Sequence, residues 1–214
     1  MNLSEAISRA FRVHAGQVLT QEVMAKMAGF IVWATSQQED RSHDPALFTP
    51  GEYQGVTFQV ERLRDALEEL KPLHLAQWLE TDAYRHGQGL NPDYPGMIES
   101  ERAGRYLLCT ARKDGVLVGN CAVYLFRSTH TQRLTASEDT LFVLKEHRAG
   151  RLGIELFKYC ERILQGLEVR EVRFSVKTCN RVWKAWQRQG YQITAYQMSK
   201  QLQETRHADH PIQP

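Results

Sequence analysis

The stretch Thr140-Leu-Phe-Val-Leu-Lys-Glu-His-Arg148-Ala-Gly-Arg-Leu-Gly-Ile-Glu-Leu-Phe157 decides the fold. Thr140 to Leu144 opens it as an apolar run of strand length. Gly150 and Gly153 follow in a tight turn. From Arg151 to Leu164 the apolar residues Leu152, Leu156, Cys160 and Ile163 then recur at helical spacing. A strand that passes through a glycine turn straight into an amphipathic helix aims unpaired main-chain N–H groups at one point, together with the positive end of the helix dipole. A phosphate or pyrophosphate is the natural guest there. Arg148 and Arg151 flank the turn and offer charge to the same anion. No Gly-Lys-Ser/Thr ends the turn, so it is not a P-loop, and it lacks the G-x-G-x-x-G spacing of a dinucleotide site.

Upstream of this stretch, Val56, Phe58 and Val60 alternate with polar residues as in a half-buried strand. A helix is expected from Arg62 to Leu70, interrupted at Pro72 and resuming through Leu75, Trp78 and Leu79. The stretch from His86 to Pro95 carries several glycine and proline breaks and reads as loop. Tyr106 to Ala111 and Val116 to Phe126 are strands joined through Lys113-Asp114-Gly115, a hairpin turn signal. Downstream, Val172 to Val176 alternates as a strand, Asn180 caps a short helix that Gly190 ends, and Tyr191 to Met198 is the last expected strand. Strands and helices in this order make an α/β (α+β) mixed sheet flanked by helices.

The first fifty residues differ. Ala6, Ile7, Ala10 and Phe11 mark one helix and Val23, Met27, Phe30 and Ile31 a second, before a polar stretch, 37–50, that reads as linker. Residues 1–48 are therefore expected to form a helical extension, docked on the main domain or on a second copy in a homodimer. Residues 49–202 are expected to form the main domain, and 203–214 a disordered tail.

Composition narrows the class. The 214 residues are 42% hydrophobic, too apolar for a wholly disordered chain, and no run approaches the roughly 18 residues of a membrane span. Met1-Asn2-Leu3-Ser4-Glu5 shows no basic region leading into an apolar one, so a cytoplasmic protein is expected. Twenty-seven basic residues against twenty-five acidic give +2, which does not indicate nucleic acid as a partner. Cys109, Cys121, Cys160 and Cys179 form no CxxC pair and read as buried packing residues; the histidines form no HxxxH or HExxH pair, so no metal is expected. No Gly-x-Ser-x-Gly elbow supports a serine hydrolase.

With these residues in view, the chain resembles the GNAT N-acetyltransferase superfamily over about residues 53 to 202. Leu141 to Arg148 is similar to the strand that leads into the family's acyl-CoA loop. Arg148-Ala149-Gly150-Arg151-Leu152-Gly153 is similar to its Arg/Gln-x-x-Gly-x-Gly/Ala motif. The hairpin around Lys113 to Gly119 and the Gly190-Tyr191 terminator match in order and spacing. The hairpin, Ser128-Thr-His130 and Ala136-Ser-Glu-Asp139 further resemble phage-encoded members.

The resemblance implies a splayed sheet and acyl-CoA-dependent transfer to an amine. The acetyl-CoA diphosphate would rest on main-chain groups of Arg148, Ala149, Gly150, Arg151, Leu152 and Gly153. The pantetheine arm would lie strand-like beside Val143, Leu144 and Lys145, with Asn180 as a further contact. An N–H near Leu144 would polarise the thioester carbonyl. Glu138 is the first candidate for the base that deprotonates the amine, with Asp139 close behind and His130 as a third. Alternation puts Glu138 and Asp139 on opposite faces. The chain departs from the pattern twice: Arg151 stands where glycine is usual in the loop, and Trp186 where a tyrosine often protonates the leaving thiolate. An indole is no acid near neutral pH, so Tyr159, Tyr191 and Tyr196 are the substitutes to examine. That second departure keeps a non-catalytic CoA-binding module as the alternative, and the phage likeness adds an amine on a modified nucleobase to the acceptors.

Overall fold

In the computed structural model, residues 3–36, 40–86, 89–148, 150–177 and 182–200 are described. The chain divides into two compact units, 1–175 and 176–214. The tail expected over 203–214 lies outside the described residues.

The first unit is built on one six-stranded sheet whose spatial order follows the chain. Its strands are β1 (Gly51–Tyr53), β2 (Val56–Glu61), β3 (Tyr106–Lys113), β4 (Val116–Arg127), β5 (Leu134–Val143) and β6 (Glu171–Arg173). All neighbours are antiparallel except β5 and β6, which are parallel. The β3–β4 turn follows from Asp114-Gly115: both residues take positive φ, 51° and 81°, as a tight two-residue hairpin requires.

One face of the sheet is covered by α3 (Leu63–Thr81) and α4 (Tyr94–Arg102). Leu63, Ala66, Leu70 and Leu73 pack there on Tyr106, Leu108, Leu117, Ala122 and Phe142. Pro72 does not divide α3 as expected; nineteen residues run through it as one helix. The lost bond costs about 3 kcal/mol, which the burial of Leu70 and Leu73 on either side offsets. The expected loop over His86 to Pro95 also needs correction, because α4 begins inside it. Pro95 sits in its first turn, where a missing N–H does no harm, and the Asp93 carboxylate accepts the Gly96 N–H at 3.0 Å. The Glu101 carboxylate of α4, buried, then accepts the Leu63 N–H at 2.6 Å and so caps α3.

The opposite face is covered by α5 (Leu152–Gly166), whose Leu156, Phe157, Tyr159, Cys160 and Leu164 are fully buried. Cys109 and Cys121 are cross-strand partners under it, with Cys160 of α5 beside them. All three are free thiols in the core, as packing residues would be; Cys179 lies outside the described residues.

Two helices precede the sheet, α1 (Leu3–Val13) and α2 (Gln21–Ser36). The described part of the expected linker, 40–50, is bound to the domain. Arg41 N–H donates to Arg102 O at 2.8 Å and Asp40 pairs with Arg62 at 3.4 Å. Gly104 is required at this crossing: its φ is +69°, and a Cβ there would lie 2.9 Å from Arg41 O.

The second unit holds the short helix α6 (Trp183–Gln187), closed by Gly190 at φ +93°. Trp186 is buried and meets the Tyr191 ring edge-on at 6.0 Å. The strand expected over Tyr191 to Met198 is absent: residues 191–200 join no ladder, and Ile193, Tyr196 and Met198 are exposed. Alternation gives a segment an apolar side, but a strand also needs an edge to pair with.

Candidate active site

β5 is longer than the run from Thr140 to Leu144 suggests. It starts at Leu134, six residues earlier, and pairs with β4 along its whole length. On its other side it pairs with β6 only at Thr135, Ala136 and Ser137. From 138 to 143 that side has no strand partner among the described residues, and the sheet opens there. The register to β4 slips at the same place: Ala122 faces Thr140 and Val123 faces Glu138, which leaves Asp139 as the extra residue of a β-bulge. Glu138 and Asp139 therefore stand where the strands part.

The two carboxylates have different surroundings. Glu138 Oε2 accepts the backbone N–H of Ser175 at 3.3 Å, just past β6. Asp139 turns to the α3–α4 face and accepts the Tyr106 hydroxyl at 3.1 Å. Burial raises its carboxyl above the ordinary value, against the lowering effect of that hydrogen bond. The Tyr106 ring packs edge-on against Tyr124 at 4.9 Å. The Tyr124 hydroxyl is pushed up by burial and then by the charges of Asp139 and Asp93. Sequence reasoning missed both tyrosines. Their alternation along β3 and β4 shows an inward face, but not that the face meets a carboxylate from a third strand.

At the other end of β5, the Leu144 N–H donates to Val118 O at 2.9 Å. It points into the sheet, so an N–H near Leu144 that faces a thioester must come from a neighbouring residue. Main-chain groups alternate along a strand, so the N–H groups of Val143 and Leu141 point to the open edge instead. Lys145, Glu146 and His147 form a 3-10 turn. The Arg148 side chain does not face the anion position expected of it. Its Nε donates to Val143 O at 2.7 Å, and its two terminal nitrogens donate to the Glu80 carboxylate at 2.7 Å each. The guanidinium also lies 5.0 Å from the Phe142 ring centroid. Arg148 thus fastens the turn to α3, and Glu80, a partner 68 residues away, could not be read from the sequence.

Gly150 has φ +73°, and a Cβ on it would sit 3.2 Å from the Tyr53 hydroxyl and 3.4 Å from Gln54 Oε1, at the tip of the β1–β2 hairpin. Helix α5 then starts at Leu152 with no side-chain cap, and its first bond runs from Glu155 N–H to Arg151 O at 2.9 Å. The N–H groups of Leu152, Gly153 and Ile154 project from this end. Arg151 pairs weakly with Glu155 at 3.7 Å. Gly153 is informative. A Cβ there would meet only Val143 Cγ2, at 3.9 Å, so nothing in the protein requires glycine at this position.

Not every expected residue joins the site. His130 lies in the turn before Leu134, its N–H on Ser128 Oγ at 3.3 Å. Tyr159 is in the core, its hydroxyl pushed up to about 12 by burial, and is no acid in the cleft. Ala149 and Asn180 lie outside the described residues.

Comparison with known proteins accords with this architecture. The model of the acetyltransferase (GNAT) family matches residues 63–191. The chain belongs to that family and is an N-acetyltransferase. No curated protein matches the sequence. Among solved structures, an aminoglycoside acetyltransferase from an uncultured soil metagenomic sample, in complex with trehalose, has 11% identity and a TM-score of 0.56 over 70% of this chain and 97% of its own. A ribosomal-protein-alanine N-acetyltransferase from Brucella melitensis biovar Abortus has 19% identity and a TM-score of 0.51 over 70% and 99%. At these identities the likeness is one of fold.

Family membership implies acetyl-CoA as cosubstrate, and the residues present fit it. The open edge of β5 offers a main-chain ladder for an extended pantetheine arm. It ends at uncapped N–H groups fit for a diphosphate, and the side-chain-free Gly153 leaves room for close approach.

Proposed function

We propose that the protein transfers an acetyl group from acetyl-CoA directly to a primary amine, with Asp139 as the base. The observation that carries this reading is the six-residue open edge of β5, from Glu138 to Val143, which leads from a partly buried carboxylate to the bare N-terminus of α5. The N–H groups of Leu152, Gly153 and Ile154 hold the diphosphate. The edge groups of Leu141 and the N–H of Val143, whose carbonyl is held by Arg148, align the pantetheine arm, and an N–H at this edge stabilises charge developing on the thioester oxygen.

An amine reaches the cleft as ammonium and must lose a proton before attack. Asp139 is better suited than Glu138. Its raised pKa brings it nearer the working pH of a base, and the Tyr106 hydroxyl fixes its orientation. Glu138 is engaged by the Ser175 N–H. The thiolate leaves unaided, since a thiol of pKa about 8.5 is already a fair leaving group; this removes the need for a tyrosine at position 186.

The test is calorimetric titration of CoA into the wild type and Gly153→Glu. The substitution puts a carboxylate beside the diphosphate and is expected to abolish measurable binding with helix content unchanged. Equal affinity in the two proteins would show that the nucleotide binds elsewhere.

A further inference from the structure

Helices α1 and α2 pack on each other and are joined by the seven residues 14–20, so they run antiparallel as a hairpin. Their mutual seam is thin. Among the described residues, Ala6, Ala10 and Met27 are its buried apolar side chains, and two helices of 11 and 16 residues with so little between them are marginal by themselves. Yet the hairpin exposes much apolar surface: Leu3, Ile7, Phe11, Val18, Leu19 and Met24 are 38–81% exposed.

The arrangement of these residues is ordered. With Ala6 and Met27 facing the seam, 3.6 residues per turn places Leu3, Ile7 and Phe11 on one flank of α1, and Met24 and Ala28 on the flank of α2 reached by the same rotation. In antiparallel helices, flanks reached by the same rotation lie on the same side of the hairpin. The charged residues Glu5, Arg9, Arg12, Glu22 and Lys26 all fall on the other side, where Arg9 also lies 5.9 Å from the Phe30 ring centroid. One side of the hairpin is therefore apolar and carries no charge.

We infer that this side is the contact between two copies of the chain, paired as a four-helix bundle about a two-fold axis. A second copy presents the same flat apolar side with the same spacing. The exposed side chains placed on that side, Leu3, Ile7, Phe11 and Met24, offer on the order of 400 Å² per protomer, about half of the roughly 800 Å² per partner of a standard stable interface, and apolar in the manner of homodimers. The polar side argues against an anionic membrane or nucleic acid as the cover: three basic residues against two acidic give +1, far from a polybasic face.

The test is the solution mass of the full chain by sedimentation equilibrium at tens of micromolar. The wild type is expected at twice 24.7 kDa. The double variant Ile7→Glu/Phe11→Glu and the single variant Met24→Lys on the other helix are each expected at the monomer mass, with unchanged CoA affinity. Arg12→Gln, on the charged side, is expected to remain dimeric. A monomeric wild type overturns the inference, as does a dimer that survives the apolar-side variants. Wild type that stays monomeric in solution but pellets with phosphatidylcholine–phosphatidylserine vesicles overturns it in favour of a membrane surface.

Discussion

The Tyr106 hydroxyl on β3 reaches over β4 to donate to Oδ2 of Asp139 on β5, at 3.1 Å. The contact exists because Asp139 is the extra residue of the bulge, so its side chain leaves the alternation and turns to the α3–α4 face. A carboxylate thereby gains a fixed orientation and a partly dry setting at the point where the sheet opens.

Asp139→Asn separates activity from stability. Losing the base is expected to lower kcat/KM by about 10² to 10⁴, while Glu138→Gln lowers it far less. Burial raises the Asp139 pKa, so the folded protein holds this proton more tightly than the unfolded chain. The resulting stability is full below the unfolded pKa and is lost as pH rises through the folded one. At pH 8 the asparagine variant is therefore expected to melt above the wild type while turning over far more slowly. Thermal melts and initial rates on the same samples check both halves; similar losses of rate from both substitutions would remove Asp139 from its role.

Tyr106→Phe probes the same pair from the other side. Without the donated hydrogen bond, the Asp139 carboxyl has lost the one influence that lowered its pKa. The acid limb of the kcat/KM profile is expected to move to higher pH, with the plateau above it largely kept. The ring itself stays buried against Tyr124, so the melting temperature reports whether packing survived. An unmoved acid limb would mean that Asp139 does not set it.

How much of this was legible depended on whether the signal was local. Asp114-Gly115 announced its hairpin, and the spacing of Leu152, Leu156, Cys160 and Ile163 announced α5, because both depend on residues a few positions apart. The start of β5 was hidden because Ser137, Glu138, Asp139 and Thr140 are polar residues in a strand whose one edge is open. Helix α4 was hidden by Asp93, Pro92 and Pro95, which look like loop residues but here cap and start a helix. The open edge of β5, the Val118 partner of Leu144 and the Glu80 partner of Arg148 are products of register between distant segments. Family likeness pointed to the turn, but not to which of its side chains face inward.

The Arg148–Glu80 pair makes a structural prediction about that turn. The Arg148 hydrogen bonds hold the Glu80 carboxyl below its ordinary value, so the pair stabilises the fold at neutral pH and loses that effect as pH falls through the folded pKa. Both side chains are more than a third exposed, so solvent screening keeps the contribution to about 1 kcal/mol or less. Glu80→Gln is expected to lower the urea midpoint at pH 7 and to leave it nearly unchanged well below pH 4. Arg148→Lys keeps the charge but not the two-pronged geometry, and is expected to raise the KM for acetyl-CoA with little change in kcat, because the turn is no longer fastened to α3.

Two glycines that flank Val143 give opposite expectations for the same substitution. At Gly119 on β4 a Cβ would meet Phe142 O at 2.9 Å and Val143 Cγ2 at 3.0 Å, and the first of these is backbone that cannot step aside without parting β4 from β5. Gly119→Ala is expected to destabilise by about 1–3 kcal/mol, the usual range for overpacking. At Gly153 the nearest atom is Val143 Cγ2 at 3.9 Å, and the residue lies in the first turn of α5. Gly153→Ala gains up to about 1 kcal/mol from helix propensity, and the fold is expected to be as stable as the wild type or more so. If the space above Gly153 belongs to the diphosphate, the same methyl group raises the dissociation constant for CoA. Urea titrations and CoA titrations of the two variants give the comparison: lower stability for Gly119→Ala, weaker binding without lower stability for Gly153→Ala. A Gly153→Ala protein that binds CoA as tightly as the wild type would show that the glycine is not there for the nucleotide.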